Sequence, residues 1–292
     1  MPVYNAGSYL ADAVESILCQ TFKDFEFIVI DDGSTDGSLA VLQRFAKHDV
    51  RVRLISRENR GITQTRNEAL RLARGELVAV MDADDRSLPD RLAKQVDFME
   101  SFPDCVAVGA RVLLIDPDGA PIREMSCEQT HEQIDTAHMR GLGGAISHPA
   151  AMMRRAVVVS VGGYREQFDT AEDFDLFLRL AEHGRVANLP DVLLWYRQHL
   201  GSVGYSGRQK QRRAALLALR EAHVRRGLVA PKIDSESVSP VPSASDHHRK
   251  WAWWALRAGN IMTARKHAFA AVRHAPFSSR AWRAVFCAVR GR

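Results

Sequence analysis

Short apolar runs alternate with helical patterns along the first two thirds of the chain. Residues 25–30 are almost continuously apolar and end at Asp31, which is typical of a strand buried on both faces. A second such run, 77–81, leads directly into Asp82. The apolar spacing predicts one more strand and three helices, at 52–56, 8–19, 37–47 and 62–73. This alternation predicts an α/β domain with a parallel, doubly wound sheet.

Acidic residues follow two of these predicted strands. Asp31 and Asp32 end one strand, and Asp82, Asp84 and Asp85 follow another. Taken singly, the first group is typical of a turn with a helix N-cap and the second of a solvated turn. Ligands of parallel sheets bind at the carboxyl ends of the strands, however, and carboxylates that share a crevice repel each other unless a cation or donors intervene. Mg²⁺ or Mn²⁺ bridging carboxylates to a diphosphate fits that requirement.

Two further segments carry candidate chemistry, and the residues alone leave each open. Arg66 lies near the start of the predicted helix 62–73, where it could contact a nucleotide diphosphate or form a surface ion pair with Glu68 or another carboxylate. Asp173 lies in the first turn of another helical pattern. It could act as a general base, or it could form a capping box with Thr170.

Eight motifs in order resemble the family-2 inverting glycosyltransferases, whose fold is GT-A. They are Pro2-Val3-Tyr4-Asn5, Asp31-Asp32-Gly33-Ser34, Asn59-Arg60-Gly61 with Arg66-Asn67, Asp82-Ala83-Asp84-Asp85, His148-Pro149, Gly162-Gly163-Tyr164, Glu172-Asp173 and Tyr196-Arg197-x-His199. The resemblance covers roughly residues 1–203. Each motif is weak singly, but their order and spacing are specific. The resemblance implies a Rossmann-like, mostly parallel sheet flanked by helices.

The resemblance also assigns residues to the donor side. Pro2, Tyr4, Asp32 and Arg66 would line the nucleotide pocket, with Asp32 on the base. Asp82 would hold the ribose, and Asp84 would be the direct ligand of Mg²⁺ or Mn²⁺. Asp85 is a substitute ligand, because relatives differ in which carboxylate touches the ion. His199 is a further metal candidate near the diphosphate or the acceptor.

On the acceptor side, the resemblance makes Asp173 the base and places Glu172 beside it. His148 would lie near the acceptor, although a loop histidine is often a hydrogen-bonded structural group. The implied reaction is inverting transfer of one sugar from a UDP- or dTDP-sugar to a hydroxyl acceptor, in surface polysaccharide or glycoconjugate assembly. The alternative is a non-catalytic nucleotide-sugar-binding or scaffold protein. A nucleotidyltransferase would need a basic triphosphate loop, and residues 2–8 contain no Lys or Arg.

Charge divides the 292-residue chain, whose formal net charge is +5. Residues 205–292 carry 18 Lys/Arg and 4 Asp/Glu, whereas residues 1–204 carry 22 and 31. We expect a GT-A domain over 1–205 and a basic helical region over 206–292, with a Pro/Ser-rich linker at about 229–248. A basic helix at 207–227 and two or three helices over 249–292 complete that region.

The basic region has two open interpretations. It could dock on an anionic membrane, which suits a lipid-linked saccharide acceptor, or form a packed helical cap with solvated arginines. We do not expect nucleic acid as a partner, because no recognised motif accompanies the charge. The four cysteines form no CxxC pair, and no apolar run approaches the ~20 residues of a membrane span. We therefore predict a cytoplasmic protein, peripheral at the inner face of the membrane.

Relatives usually have an apolar strand before the motif that begins here at Pro2. Four buried apolar residues would contribute about 6–12 kcal/mol, which is comparable with the whole stability of a domain. We hypothesise that Met1 is an internal methionine of a longer product. Cooperative folding and nucleotide binding by the 292-residue chain would contradict this.

Overall fold

The computed structural model describes residues 1–125, 127–201, 208–231 and 242–291, with Arg208 as backbone only. These residues form two compact units. The first comprises 1–112, 126–194 and 210–233, and the second comprises 113–125, 195–209 and 234–292. The division differs from the expected boundary at 205, because the basic helix belongs to the first unit and a β-hairpin segment to the second.

A parallel three-stranded sheet opens the first unit. It has the order β1 (Pro2–Val3), β2 (Phe27–Asp32) and β3 (Val52–Arg57). Helices α1 (Leu10–Leu18) and α2 (Ser38–His48) connect these strands, and α3 (Ile62–Leu72) follows β3. All six residues of β2 are buried, so the prediction of a doubly buried strand ending in Asp32 is confirmed.

A second sheet has the order β4-β8-β6-β9-β5, and β7 pairs with β6. Its strands are β4 (Leu77–Ala79), β5 (Arg86–Ser87), β6 (Cys105–Ile115), β7 (Pro121–Met125), β8 (Met152–Arg154) and β9 (Arg185–Arg197). The expectation of a mostly parallel sheet holds for the first sheet only. In the second sheet, β8 runs antiparallel to both β4 and β6. β1 and β4 are two and three residues long and stand at the edges of separate sheets.

A cavity of about 820 Å³, lined by both apolar and charged residues, lies beside these two short strands. Met1, Ile17, Leu77 and Met99 are among the residues that line it. The Met1 amino group donates to the Ile28 carbonyl at 2.8 Å, and burial lowers its pKa to about 5. The hypothesis of a strand before Met1 stays a prediction.

Further helices of the first unit, beyond α1 to α3, pack on the second sheet or on each other. They are α4 (Arg91–Ser101), α5 (His131–Met139), α6 (Arg155–Ser160), α7 (Glu172–Leu180) and α8 (Arg208–Arg225). The small-residue face of α8, including Ala214, Ala218 and Ala222, packs with Phe174 and Leu178 of α7. Because of this packing, the predicted basic helix is part of the first unit.

Arginines at the end of α8 form ion pairs with carboxylates of the first unit. Arg226 pairs with Asp135 at 2.8 Å and with Glu182 at 3.3 Å, and Arg225 pairs with Glu182 at 2.8 Å. For this helix the structure therefore favours the packed-cap interpretation.

Three helices form most of the second unit: α9 (Ala244–Arg257), α10 (Ile261–His274) and α11 (Ser279–Arg290). The prediction of two or three helices over 249–292 is confirmed. The predicted linker at 229–248 extends too far, because Ser243 and Asp246 form a capping box that starts α9 at Ala244. Residues 232–241 of that linker lie outside the described residues.

His138 generates a prediction about the pH dependence of stability. It is buried in α5 against Phe174 and Phe177, and burial lowers its pKa from 6.5 to about 4. Between pH 4 and 6.5 the unfolded chain binds a proton at His138 that the folded protein does not bind. The free energy of unfolding is therefore highest above pH 6.5 and falls as the pH is lowered towards 4. We expect the free energy of unfolding of His138→Phe, measured in urea, to fall by about 3 kcal/mol less than that of the wild type between pH 7 and 4.

His48→Gln, an exposed change on α2, is the matched control and should leave the pH dependence unaltered. If His138→Phe unfolds with the wild-type pH dependence, the assignment to His138 is wrong.

Candidate active site

Arg66 joins two segments that are distant in the sequence. Its Nη2 donates to Asp82 Oδ1 at 3.2 Å, and its Nη1 donates to Glu172 Oε1. The guanidinium carbon lies 5.8 Å from the centroid of the Tyr164 ring. The structure thus brings the loop after β4 and the first turn of α7 to one side chain of α3.

The electrostatics of the cluster follow from burial and close opposite charges. Burial alone would lower the pKa of Arg66, but Asp82 and Glu172 raise it above its ordinary value. Burial raises the pKa of Asp82, which Arg66 opposes and the negative charge of Asp84 reinforces. Burial likewise raises the pKa of Glu172, against Arg66 and together with Asp173. Three carboxylates, those of Asp82, Glu172 and Asp173, therefore act on one permanently charged arginine.

Three polar atoms here lack a hydrogen-bond partner within the described part of the chain. They are Nε of Arg66, Oε2 of Glu172 and Oγ1 of Thr170, and all three are buried. An unsatisfied buried polar group typically costs about 1–3 kcal/mol. Protein contacts therefore leave hydrogen-bonding capacity in the cluster that a bound substrate could use.

Thr170 stands just before the acidic pair in a strained conformation. Its φ is 80°, which is rare for a β-branched residue. The N-cap of α7 is Ala171 and has no side-chain hydrogen bond. The capping-box interpretation of Thr170 and Asp173 is therefore wrong, because Thr170 lies before the cap position.

Buried ion pairs and backbone contacts fix the first turn of α7. Asp175 is fully buried and pairs with Arg179 at 2.7 Å and also with Arg165. Arg179 in turn donates to the Gly163 carbonyl at 2.7 Å. Asn67, next to Arg66, bonds both the N–H and the C=O of Tyr164, at 2.9 and 2.7 Å. These contacts hold α3, α7 and the loop before α7 in one arrangement.

His148 lies behind the cluster. Its Nε2 is 2.9 Å from the Tyr164 hydroxyl, and the side chain is buried. Burial, followed by the positive charges of Arg66 and Arg91, holds its pKa well below the usual range. It is thus a neutral, hydrogen-bonded group, and a place near the acceptor stays a prediction.

Arg91 was missed by the sequence analysis. It is fully buried and donates to the Val80 carbonyl at 2.7 Å. Burial lowers its pKa to about 10, while Asp85 and Asp82 raise it. Arg91 therefore supports the acidic loop from within and neutralises buried Asp85. An arginine in the first turn of an amphipathic helix gives no sequence signal for such a role.

Asp32 is held by its own neighbours. Its carboxylate accepts from the N–H groups of Arg60 and Gly61 at 2.9 and 3.0 Å, and from Arg57. Arg57, which was also missed, donates to Glu68 at 2.7 Å. The suggested Arg66–Glu68 pair is therefore wrong, because Arg57 takes Glu68.

The remaining predicted residues divide between the units. Pro2 pairs with Ile30 in the first sheet, and Tyr4 is 56% exposed. Their nucleotide contacts stay predictions, as does that of Asp32. His199 belongs to the second unit, and its metal contact also stays a prediction.

The acidic loop fits a divalent cation in its donor chemistry. The negative charge of Asp84 raises the pKa of the neighbouring Asp82, and a bound cation would relieve this repulsion. Among the described residues, no group of three His, Cys, Asp or Glu side chains is arranged to hold a metal. Mg²⁺ sites commonly use one or two carboxylates, with substrate phosphates and water as the other ligands.

Comparisons with known proteins place this chain in a family. Residues 1–161 match the model of glycosyl transferase family 2. The O-antigen biosynthesis glycosyltransferase WbnJ of Escherichia coli is 32% identical over 203 residues, which are 68% of this chain and 78% of WbnJ.

Two solved structures show the same fold at low sequence identity. Staphylococcus aureus TarS 1-349 in complex with UDP-GlcNAc has a TM-score of 0.59 at 16% identity, over 100% of this chain and 90% of that one. The mannosyltransferase PcManGT of Pyrobaculum calidifontis, in complex with GDP-Man and Mn²⁺, has a TM-score of 0.56 at 20% identity, over 99% and 78%.

The fold and site define a GT-A-like α/β glycosyltransferase with C-terminal helices. The chain belongs to glycosyl transferase family 2.

Gly163 tests how tightly the loop before α7 is fixed. A Cβ at this position would lie 2.7 Å from Asn67 Oδ1, and its φ is +65°. Gly162 also has a positive φ, +89°, but a Cβ at this position would have no atom of the described residues within 4 Å. Gly162→Ala therefore introduces the backbone strain without the clash. We expect Gly163→Ala to lower the free energy of unfolding by about 1–3 kcal/mol more than Gly162→Ala. Equal losses in urea unfolding would show that the Asn67 contact is not tight.

Proposed function

We propose that this site transfers one sugar from a UDP- or dTDP-sugar to a hydroxyl acceptor, with inversion at the anomeric carbon. The observation that supports it most is the Arg66 bridge between Asp82 and Glu172. These residues belong to the expected donor and acceptor sides, and the bridge gives the two sides one shared electrostatic centre.

Asp173 is the proposed general base. It lies in the first turn of α7, and its Oδ1 accepts from the Phe174 N–H at 2.7 Å. Its side chain is only half-buried, so an acceptor hydroxyl can reach it. Removing the hydroxyl proton during attack contributes roughly 10²–10⁴-fold to the rate. Glu172, held by Arg66, shapes the acceptor side.

On the donor side, Asp84 is the proposed ligand of Mg²⁺ or Mn²⁺, with Asp85 as the substitute. Asp85 is buried against Arg91, so Asp84 is the better placed of the two. A bound cation supplies charge stabilisation to the departing nucleoside diphosphate. The permanently charged Arg66 adds to the positive potential at that side, and its free Nε is available to a phosphate oxygen.

The acceptor is proposed to be a saccharide, free or lipid-linked, in surface polysaccharide assembly. The similarity to WbnJ, an O-antigen biosynthesis glycosyltransferase, supports this assignment. None of the helices in the described ranges has the length and apolar character needed to cross a bilayer. We place the protein in the cytoplasm, peripheral at the inner face of the membrane.

A non-catalytic nucleotide-sugar-binding protein is the competing proposal. Such a protein would bind the donor without turnover, and its donor affinity would not depend on Asp173.

Calorimetry with UDP and dTDP, each with and without Mn²⁺, tests the donor site. We expect metal-dependent binding that Asp84→Asn weakens at least tenfold, because the change removes a charged oxygen ligand. Asp97→Asn, an exposed change on α4, is the matched control and should bind like the wild type. Metal-independent binding, or equal effects of the two variants, would contradict the assignment of Asp84.

Release of nucleoside diphosphate from UDP-sugars, with a panel of aryl glycosides as acceptors, tests the chemistry. We expect Asp173→Asn to keep donor affinity and to lower turnover by roughly 10²–10⁴-fold. Wild-type donor binding with no turnover across the panel would favour the non-catalytic protein. Release of pyrophosphate in a separate assay that supplies UTP and a sugar 1-phosphate would indicate nucleotidyl transfer instead.

A further inference from the structure

The last helix of the second unit exposes an apolar stripe to solvent. Its inward face is made of small and apolar residues, namely Ala281, Ala284, Val285 and Ala288. On the outside, Trp282, Phe286 and Val289 are 53%, 56% and 50% exposed, and Phe277 in the preceding turn is 100% exposed. We call these four outward residues the α11 stripe.

Local contacts order the stripe. Positions 282, 286 and 289 follow the spacing that aligns side chains on one face of a helix. The Trp282 indole N–H donates to the Pro276 carbonyl at 2.8 Å, which ties the ring to the turn that carries Phe277. The Arg290 guanidinium lies 4.2 Å from the centroid of the Phe286 ring. The exposed apolar surface is therefore a continuous feature from the turn to the helix end.

The charge of the segment that follows Asp246 has one sign. After Asp246 the sequence contains ten Lys/Arg and no Asp or Glu. Arg280, Arg283 and Arg290 are exposed on α11 itself. Two other cations have internal roles: Arg265 donates to the Ala288 and Val289 carbonyls, and Lys266 pairs with Asp116. The stripe thus lies among exposed arginines in a segment without carboxylates.

Exposed aromatic and aliphatic side chains beside arginines match an anionic lipid surface, where the rings enter the headgroup region and the arginines meet phosphates. Nucleic acid fits less well, because base stacking needs open ring faces and Arg290 covers one face of Phe286. We propose that the α11 stripe and its flanking arginines dock the second unit on an anionic membrane. This deepens the peripheral location proposed above and does not depend on sugar transfer.

Co-sedimentation of the full chain with vesicles tests the proposal. Vesicles of phosphatidylglycerol and phosphatidylcholine in equal parts should bind the protein, and vesicles of phosphatidylcholine alone should bind it at least tenfold more weakly. The double change Phe277→Ser with Phe286→Ser should weaken binding to the anionic vesicles at least tenfold, because two phenyl groups leave the lipid. Val50→Ser, at a fully exposed position of the first unit, is the matched control and should bind unchanged.

Arg283→Glu should weaken binding to the anionic vesicles about fivefold or more, with the loss reduced at high salt. All variants should keep the wild-type thermal midpoint and UDP affinity, because the changed side chains are exposed and none of them belongs to the candidate active site. Unaltered vesicle binding by the folded double variant would overturn the proposal, and so would tighter binding to single-stranded poly(U) than to anionic vesicles. If the wild-type protein does not bind UDP, that result contradicts the function proposed above and leaves the membrane proposal unaffected.

Discussion

The buried guanidinium of Arg66 is the interaction on which the site depends. A buried charge is stable only where its partners and hydrogen bonds are correctly placed, and Arg66 takes its partners from two distant segments. The surrounding structure meets this condition. Asn67 fixes the Tyr164 backbone, and Arg179 ties α7 to the preceding loop. The site is therefore held by the same contacts that hold the fold.

Buried charge also differentiates the carboxylates. Asp82 is occupied by Arg66, and Asp85 is buried near Arg91, which acts on it from beneath the loop. Asp84 and Asp173 are half-buried and so are accessible to solvent and ligands. Aspartates in different surroundings thus have different roles. Asp82 and Asp85 are held by the protein, whereas Asp84 and Asp173 can contact a ligand.

Local patterns predicted the elements well. The doubly buried strand β2, the helices α1 to α3 and the C-terminal helices follow from apolar spacing, and the motifs marked the residues that gather around Arg66. The antiparallel placement of β8 could not be predicted, because strand direction is set by tertiary pairing. The partners of Arg57 and Arg91 were missed for a related reason. Neither a charge at the end of a strand, like Arg57, nor one on an amphipathic helix, like Arg91, gives any sign of whether it faces water or a buried carboxylate.

Thr170 has a consequence for protein engineering. Its φ of 80° suits glycine, so a search for thermostable variants would favour relief of strain at this position. The same residue sets the chain direction into Glu172 and Asp173, and a freer backbone there would blur the geometry of the acidic pair. Selection for heat resistance and selection for turnover would therefore act in opposite directions at a single residue.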